Sequence, residues 1–335
     1  MDWSQDRELG IRMALTLVLL GVVTVILIVP LYGTLVALAW IVVPFSTSVV
    51  IGFIGTGIII GSIVVFEFRS ETPAMHGLTA RVEKTGYPEL HRTVERLAQQ
   101  ADLPVPTVLV ADNPLPNAYT SGLSPQRVTI VVTTGLLDEL EEKEIQAVIA
   151  HELAHVKNRD AAVMTIASVP LVIAQTIHEW ADERWAQIAN DASSENLSVL
   201  PLAACFAVAG ALWLIGRLLV RLLSRYRELA ADRGAIALTG SPAALASALE
   251  TVDTRIGSTP DEDLRSMNRP NEAFAVVPVE TDTVSEPVRL GPDGNRQPYL
   301  SEYIYPIKKR LAPLFATHPS METRLKQLRN VEREL

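Results

Sequence analysis

The run Met13–Phe66, MALTLVLLGVVTVILIVPLYGTLVALAWIVVPFSTSVVIGFIGTGIIIGSIVVF, carries no Asp, Glu, Lys or Arg over 54 residues. A helix crossing the hydrocarbon core of a bilayer needs about 20 apolar residues, so this run holds two spans and a tight connection. Pro30–Gly33 and Pro44–Ser48 both offer turn chemistry, and two spans of near-equal length place the break within Leu31–Pro44. A cleaved export signal has an apolar core of only about 7–15 residues, far shorter than this run.

Two later runs extend the pattern. Leu197–Gly216 is 20 uncharged residues followed by Arg217, Arg221, Arg225 and Arg227. Ala161–Ile177 is 17 uncharged residues with Pro170 inside it, read as a span with a core helix as the alternative. Between them, residues 178–196 read as a loop with Glu179, Asp182, Glu183, Asp191 and Glu195 against a single Arg184. Positive residues favour the cytoplasmic side, so this loop faces out and the arginine collar faces in. Counting back through paired spans, the N-terminus and residues 67–160 face in as well. His178, Trp180 and Trp185 then fall at the outer interface, where tryptophan is common.

Composition agrees with this frame. Of 335 residues, 48% are hydrophobic and 20% charged, and the mean hydropathy is +0.23. So much apolar surface excludes a mainly disordered chain. Cys205 stands alone, which excludes a disulfide framework. A net charge of −9 argues against nucleic acid as a partner. The chain divides into a membrane anchor over 1–66, a first soluble part over 67–160, a membrane hairpin over 161–216 and a second soluble part over 217–335.

The first soluble part reads as α+β. Pro88–Gln100 has helical spacing, with Leu90, Val94 and Leu97 on one face, and Pro104 and Pro106 follow it. Val105–Val110 and the β-branched run Val128–Val132 are strands, and Asn113–Asn117 (NPLPN) is a turn. A helix runs from about Glu141 to Lys157 with its acids early, as the helix dipole prefers. Beyond the last span, helix continues over Ser224–Thr239 and ends near Gly240. Ser241–Val252 and about Ser320–Glu332 are further helices, and 253–300 reads mostly as loop.

The chemistry lies in His151-Glu152-Leu153-Ala154-His155. Residues four apart share a helix face, so both imidazoles can aim a ring nitrogen at one ion. Two neutral imidazoles with an acid between them are the pattern of a zinc hydrolase. Glu152 falls beside the ion rather than on it, where it can take a proton from an activated water. Two of the chain's six histidines stand here, on an apolar helix (Ile145, Ala147, Val148, Ile149, Ala150) that does not read as a solvated face.

Catalytic zinc keeps three protein ligands. The remaining histidines are His76, His91, His178 and His318, and a third histidine at the H-E-x-x-H-x-x-G-x-x-H spacing is absent, with Asn158 and Ala162 at the glycine and histidine positions. A second helix offers Glu228 and Asp232, four apart on one face. From the residues alone, these two are either metal-site acids or partners of Arg225 and Arg227.

Five stretches resolve the matter by resemblance. Pro116-Asn117-Ala118-Tyr119, Thr133–Leu137 (TTGLL), His151–Asp160 (HELAHVKNRD), Ser224–Asp232 (SRYRELAAD) and Thr317-His318-Pro319 resemble, in order, the motifs of HtpX-type membrane zinc metallopeptidases. Their larger family includes the CAAX prenyl proteases. The resemblance runs from about residue 87 to the C-terminus, and the N-terminal hydrophobic pair fits it too. It implies a mainly α membrane protein whose transmembrane helices carry a cytoplasmic α+β, gluzincin-like domain with a small β-sheet. It implies one Zn²⁺ per chain held by His151, His155 and Glu228, with Glu152 catalytic. It also implies Asp232 as a carboxylate orienting a ligand, Arg324 as its partner, and His318 near the active site as an oxyanion donor. Asn117, with the strand Val128–Val132, falls on the substrate side, where an edge strand binds the substrate backbone.

The implied activity is a metalloendopeptidase of the plasma membrane, multi-pass and facing the cytoplasm. It would act on unfolded or damaged membrane proteins in the lipid bilayer, with no nucleic-acid partner. A processing protease of the prenyl type, or an inactive scaffold, are the alternatives. The prenyl proteases carry more spans than this chain supplies, and an intact Glu152 argues against a scaffold. Residues 280–305 read as an extra acidic segment before the last motif.

Overall fold

The structure is a computed structural model that describes residues 7–70, 86–122, 124–190, 199–257 and 318–334. The 280–305 segment lies outside these. In order, the elements are α1 (Arg7–Trp40), α2 (Phe45–Ser70), α3 (Pro88–Gln100), β1 (Thr107–Ala111), β2 (Ala118–Ser121), β3 (Thr129–Thr133), α4 (Thr134–Glu139), α5 (Glu142–Lys157), α6 (Asp160–Asn190), α7 (Val199–Thr239), α8 (Pro242–Gly257) and α9 (Met321–Glu334). The chain separates into two compact units. One comprises residues 74–162 and 224–335 with the first five residues; the other comprises 6–73 and 163–223.

The second unit is helical. Among the described residues, four helices are long and apolar enough to cross a membrane: Glu8–Trp40, Phe45–Ser62, Asp160–Trp180 and Phe206–Thr239. α1 passes through Pro30 unbroken, and the turn falls at residues 41–44, where Val42 and Val43 N–H groups both donate to the Ala39 carbonyl at 3.0 Å. Within this unit Val23 and Leu27 of α1 pack with Ile173 and Ala174 of α6. Its outer surface is apolar, with Phe53 76% and Val42 83% exposed, as lipid-facing side chains are. α6 extends the span over Ala161–Ile177 and runs on to Asn190. The stretch 178–190, expected as loop, is therefore helix. It holds no glycine or proline and is rich in good helix formers, so acidity alone does not break it.

The first unit is built on α5. Its start is fixed by a reciprocal cap, in which the Glu141 side chain accepts from the Glu144 backbone and the Glu144 side chain accepts from the Glu141 N–H at 2.8 Å. Leu90, Val94 and Leu97 of α3 pack as their spacing requires, with Ile149, Leu153, Leu245, Leu249 and Leu328 in the same core. Burying one such side chain stabilises the fold by about 1.5–3 kcal/mol.

Against α5 lies a three-stranded sheet of order β1-β3-β2. β1 and β3 run parallel, with Val108 opposite Ile130 and Val110 opposite Val132. β2 and β3 run antiparallel, with Ala118 opposite Val132 and Thr120 opposite Ile130. β3 is thus the central strand. Both its sides are hydrogen-bonded, so it offers no free edge to a substrate, contrary to the expectation for Val128–Val132; among the described residues, the edge strand beside α5 is β2. β2 itself has too few residues to declare itself by alternation.

A small lock joins β3 to the segment before β2. The Thr133 hydroxyl donates to the Leu115 carbonyl at 2.8 Å and accepts from the Asn117 N–H at 2.8 Å. The Thr134 hydroxyl donates to the Asn113 carbonyl at 3.0 Å and accepts from the Asn113 N–H at 3.1 Å. Gly135 slides beneath Pro114, so close that a Cβ there would stand 2.2 Å from the Pro114 carbonyl oxygen. This explains the Thr-Thr-Gly order physically: two hydroxyls staple the turn, and the third residue has no side chain because backbone fills its place.

Candidate metal centre

α5 brings His151 and His155 onto one face, and α7 brings Glu228 and Asp232 to meet them. The two histidine Nε2 atoms are 3.1 Å apart. Glu228 Oε2 lies 3.6 Å from His151 Nε2, and Glu228 Oε1 lies 3.6 Å from His155 Nε2. These three residues form the one His/Cys/Asp/Glu group among the described residues whose ligand atoms all lie within 4.8 Å of one another. His151 and Glu228 are buried, and His155 is half-buried.

The far nitrogens fix the ring orientation. His151 Nδ1 stands 3.0 Å from Asp232 Oδ1, and His155 Nδ1 stands 2.6 Å from Asp160 Oδ2. The His155–Asp160 approach is a hydrogen bond, while the His151–Asp232 approach is a close contact without hydrogen-bond geometry; a carboxylate beside Nδ1 favours the tautomer that frees Nε2 to ligate. Two ring nitrogens 3.1 Å apart, with a carboxylate facing both, form a donor set that one cation between them would satisfy. A tetrahedral ion with bonds of about 2.0–2.1 Å separates its ligand atoms by about 3.3–3.4 Å. The observed separations of 3.1 and 3.6 Å bracket that value, so the donor set fits the expected zinc. The group has two nitrogens and one carboxylate, as three-ligand catalytic sites do.

Burial disfavours charge on His151, but Asp232 and Glu228 outweigh it and push the ring up to about 9. Burial likewise pushes the Glu152 carboxyl up, against the pull of His155 and His151. Glu152 is 2% exposed, and its Oε2 accepts a hydrogen bond from the Thr120 hydroxyl at 2.5 Å.

The outer ring of the site is charged and buried. Arg324 of α9 grips Asp232 with two parallel bonds, Nε to Oδ2 at 2.9 Å and a terminal nitrogen to Oδ1 at 2.6 Å. Burial opposes the guanidinium's charge, and Asp232 more than restores it. His318 Nδ1 lies 3.5 Å from Glu228 Oε2, and neither ring nitrogen has a hydrogen-bond partner among the described residues. Asn117 stands just before β2; its backbone is bound to Thr133, while its buried Oδ1 has no partner among the described residues.

His151, Glu152, His155, Glu228, Asp232, His318 and Arg324 therefore gather in one cluster, and Asn117 lies just before β2. Of the other histidines, His178 belongs to the membrane unit, its ring 4.2 Å from that of Phe206. Three contributors were not expected: Thr120, Asp160 as the acid on His155, and Arg227, whose Nε lies 3.3 Å from Asp160 Oδ2. The signal for Asp160 is conformational. Arg159 takes a left-handed φ of +55°, which reverses the chain after α5 and returns Asp160 to His155.

An H-E-x-x-H helix beside a small sheet, completed by an acid from a second helix in a chain with four apolar helices, defines a membrane metallopeptidase. The chain belongs to Peptidase family M48, whose profile matches residues 85–332. It is 39% identical over 335 residues to Protease HtpX homolog 1 of Streptomyces coelicolor, covering 99% of this chain and 96% of that one. It is 37% identical over 254 residues to Protease HtpX homolog 2 of Methanosarcina acetivorans, covering 76% of each. The crystal structure of S. mikatae Ste24p aligns with a TM-score of 0.45 and 22% identity, over 80% of this chain and 58% of that chain. With the family shown, the four apolar helices make this a multi-pass membrane protein.

Proposed function

We propose that this chain is a zinc-dependent endopeptidase that cuts misfolded or damaged membrane proteins, with its catalytic unit on the cytoplasmic side of the plasma membrane. The observation that carries the reading is the pair of Nε2 atoms 3.1 Å apart, faced by Glu228, with Glu152 buried beside them. A carboxylate in that position has no structural need to be an acid; it is useful if it moves a proton.

His151, His155 and Glu228 would hold the ion. Zinc bound there would supply Lewis acidity, for activating a water and polarising a peptide carbonyl. Glu152 takes the proton from the attacking water and hands it to the leaving amine. Burial raises its pKa, which makes it a stronger base toward the water than an exposed carboxylate would be. Asp232 and Asp160 hold the two imidazoles in the ligating tautomer, and Arg324 holds Asp232. His318 is near enough to steady charge on the carbonyl oxygen. Asn117, whose buried Oδ1 has no partner among the described residues, lies just before β2 and receives the substrate backbone. The arginine collar on α7 and the acids at 178–196 support the inward orientation.

The test uses the detergent-solubilised full chain and a dye-labelled unfolded protein. Wild type with zinc cleaves it, and Glu152→Gln with the same zinc content does not. A zinc-loaded Glu152→Gln that cleaves at the wild-type rate refutes the role of Glu152. A wild-type chain that takes up no zinc refutes the ligand set.

A further inference from the structure

The strand β2 reaches Glu152 through the side chain of Thr120. Side chains alternate across a strand, so Ala118 and Thr120 point to one face and Tyr119 and Ser121 to the other. Ala118 is fully buried in the core shared with α5, which puts Thr120 on the α5 side. Its hydroxyl donates to Glu152 Oε2 at 2.5 Å. Among the described residues it is the one hydrogen-bond donor to Glu152.

Valine would fill the same space and suit a strand equally well. It would leave a buried carboxylate without its donor. Threonine therefore answers a need of Glu152 rather than of the sheet. A hydroxyl carries a single hydrogen, and here that hydrogen is committed to Oε2. The other oxygen, Oε1, receives no hydrogen bond from this hydroxyl.

We infer that Thr120 is a positioning residue that divides the labour of the Glu152 carboxylate, anchoring Oε2 so that Oε1 alone exchanges protons with the attacking water and the leaving amine. The inference rests on the proposed role of Glu152 as the base. Anchoring also fixes the carboxylate against the β2 edge, so the base and the strand beside the substrate keep one register. Thr120 does not itself touch the reacting atoms. Its loss should therefore slow turnover without weakening substrate binding.

Thr120→Val and Thr120→Ser in the full chain separate this from a packing role. A hydrogen bond to a charged group contributes enough that losing it should lower kcat roughly ten- to a hundredfold. In Thr120→Val, KM and zinc content stay at wild-type values. Thr120→Ser restores the donor and returns kcat to within about threefold of wild type. A second readout needs no turnover. The infrared carboxylate band assigned to Glu152, from the difference between wild type and Glu152→Gln, shifts in Thr120→Val and returns in Thr120→Ser. Wild-type kcat with an unshifted band in Thr120→Val overturns the anchoring role and leaves Glu152 as the base. Equal losses in Val and Ser variants, with lowered thermal stability in both, overturn it in favour of packing. Cleavage by zinc-loaded Glu152→Gln overturns the base reading, and this inference with it.

Discussion

His155 Nδ1 and Asp160 Oδ2 stand 2.6 Å apart across the turn between α5 and α6, with the Arg227 guanidinium 3.3 Å from the same oxygen. The helix that carries the ligand thus ends by delivering the acid that orients it. Carboxylates in this relation to a metal-binding imidazole typically change affinity 10- to 100-fold when altered. Asp160→Asn keeps the size and removes the charge. Its metal affinity, read by competition with a chelator, should fall about 10- to 100-fold, with the fold intact. Unchanged affinity would mean that Asp160 serves only Arg227 and the start of α6.

His151 gives the site a pH dependence with a definite sign. Burial alone would lower its pKa, but Asp232 and Glu228 outweigh burial and raise it from 6.5 to about 9. A group with a raised pKa adds stability that is complete below its unfolded value and lost as pH climbs through its folded value. The metal-free chain should therefore melt at steadily lower temperature from about pH 6.5 to about pH 9. The zinc-loaded chain should show no such decline, because the ion replaces the proton. Zinc added at pH 7 should release about one proton from His151, measurable with an indicator dye. Identical melting profiles with and without zinc across that window would contradict this.

Arg324 and Asp232 form an ion pair of unusual depth, 2% and 1% exposed. Both charges have lost water, and each is compensated by the other through two bonds. Removing one partner leaves a buried charge and costs about 3–5 kcal/mol in such pairs. Arg324→Met should destabilise the first unit by that order, and Asp232→Asn added to it should recover part of the loss. The double variant should still bind zinc less tightly than wild type, since His151 has lost its carboxylate. Additive losses in the two substitutions, measured by thermal unfolding in detergent, would show that the pair is not coupled.

The sequence was legible where periodicity or repetition of type is long. Charge-free runs disclosed the membrane helices, and helical spacing disclosed α3 and α5 with their buried faces. His151, Glu152 and His155 announce themselves because four residues on a helix are one turn. Glu228 and Asp232 were visible as a pair, but the residues alone left open whether they meet the metal or the arginines beside them. The structure shows why: Glu228 lies 3.8 Å from Arg227 as well as 3.6 Å from His155 Nε2. β2 was illegible because four residues carry too little alternation, and with it went Thr120. The central place of β3 was illegible because pairing order depends on contacts between distant segments. The helical stretch 178–190 was misread because its acids suggest a loop, whereas helix formation asks only that nothing break the backbone.

The membrane unit permits a test that does not involve the metal. Gly52 of α2 faces α1 so closely that a Cβ would meet Val36 Cγ2 at 2.4 Å, the Tyr32 ring at 3.3 Å and the Val36 backbone nitrogen at 3.3 Å. The side chains of Val36 and Tyr32 can give a little, but the backbone nitrogen cannot move without parting the helices. Small residues serve membrane helices in this way, by letting backbones approach where no hydrophobic force drives association. Gly57, five residues on, has no atom within 4 Å of its would-be Cβ. Leucine at either position is equally apolar, so the two substitutions differ only in the space they meet. Gly52→Leu should destabilise the hairpin by about 1–3 kcal/mol, as overpacking does. Gly57→Leu should leave it unchanged. Unfolding in graded SDS, followed by a disulfide engineered between α1 and α2 whose formation reports their contact, distinguishes them. Equal effects at both positions would mean that leucine acts there through the lipid and not through the packing of α1 on α2.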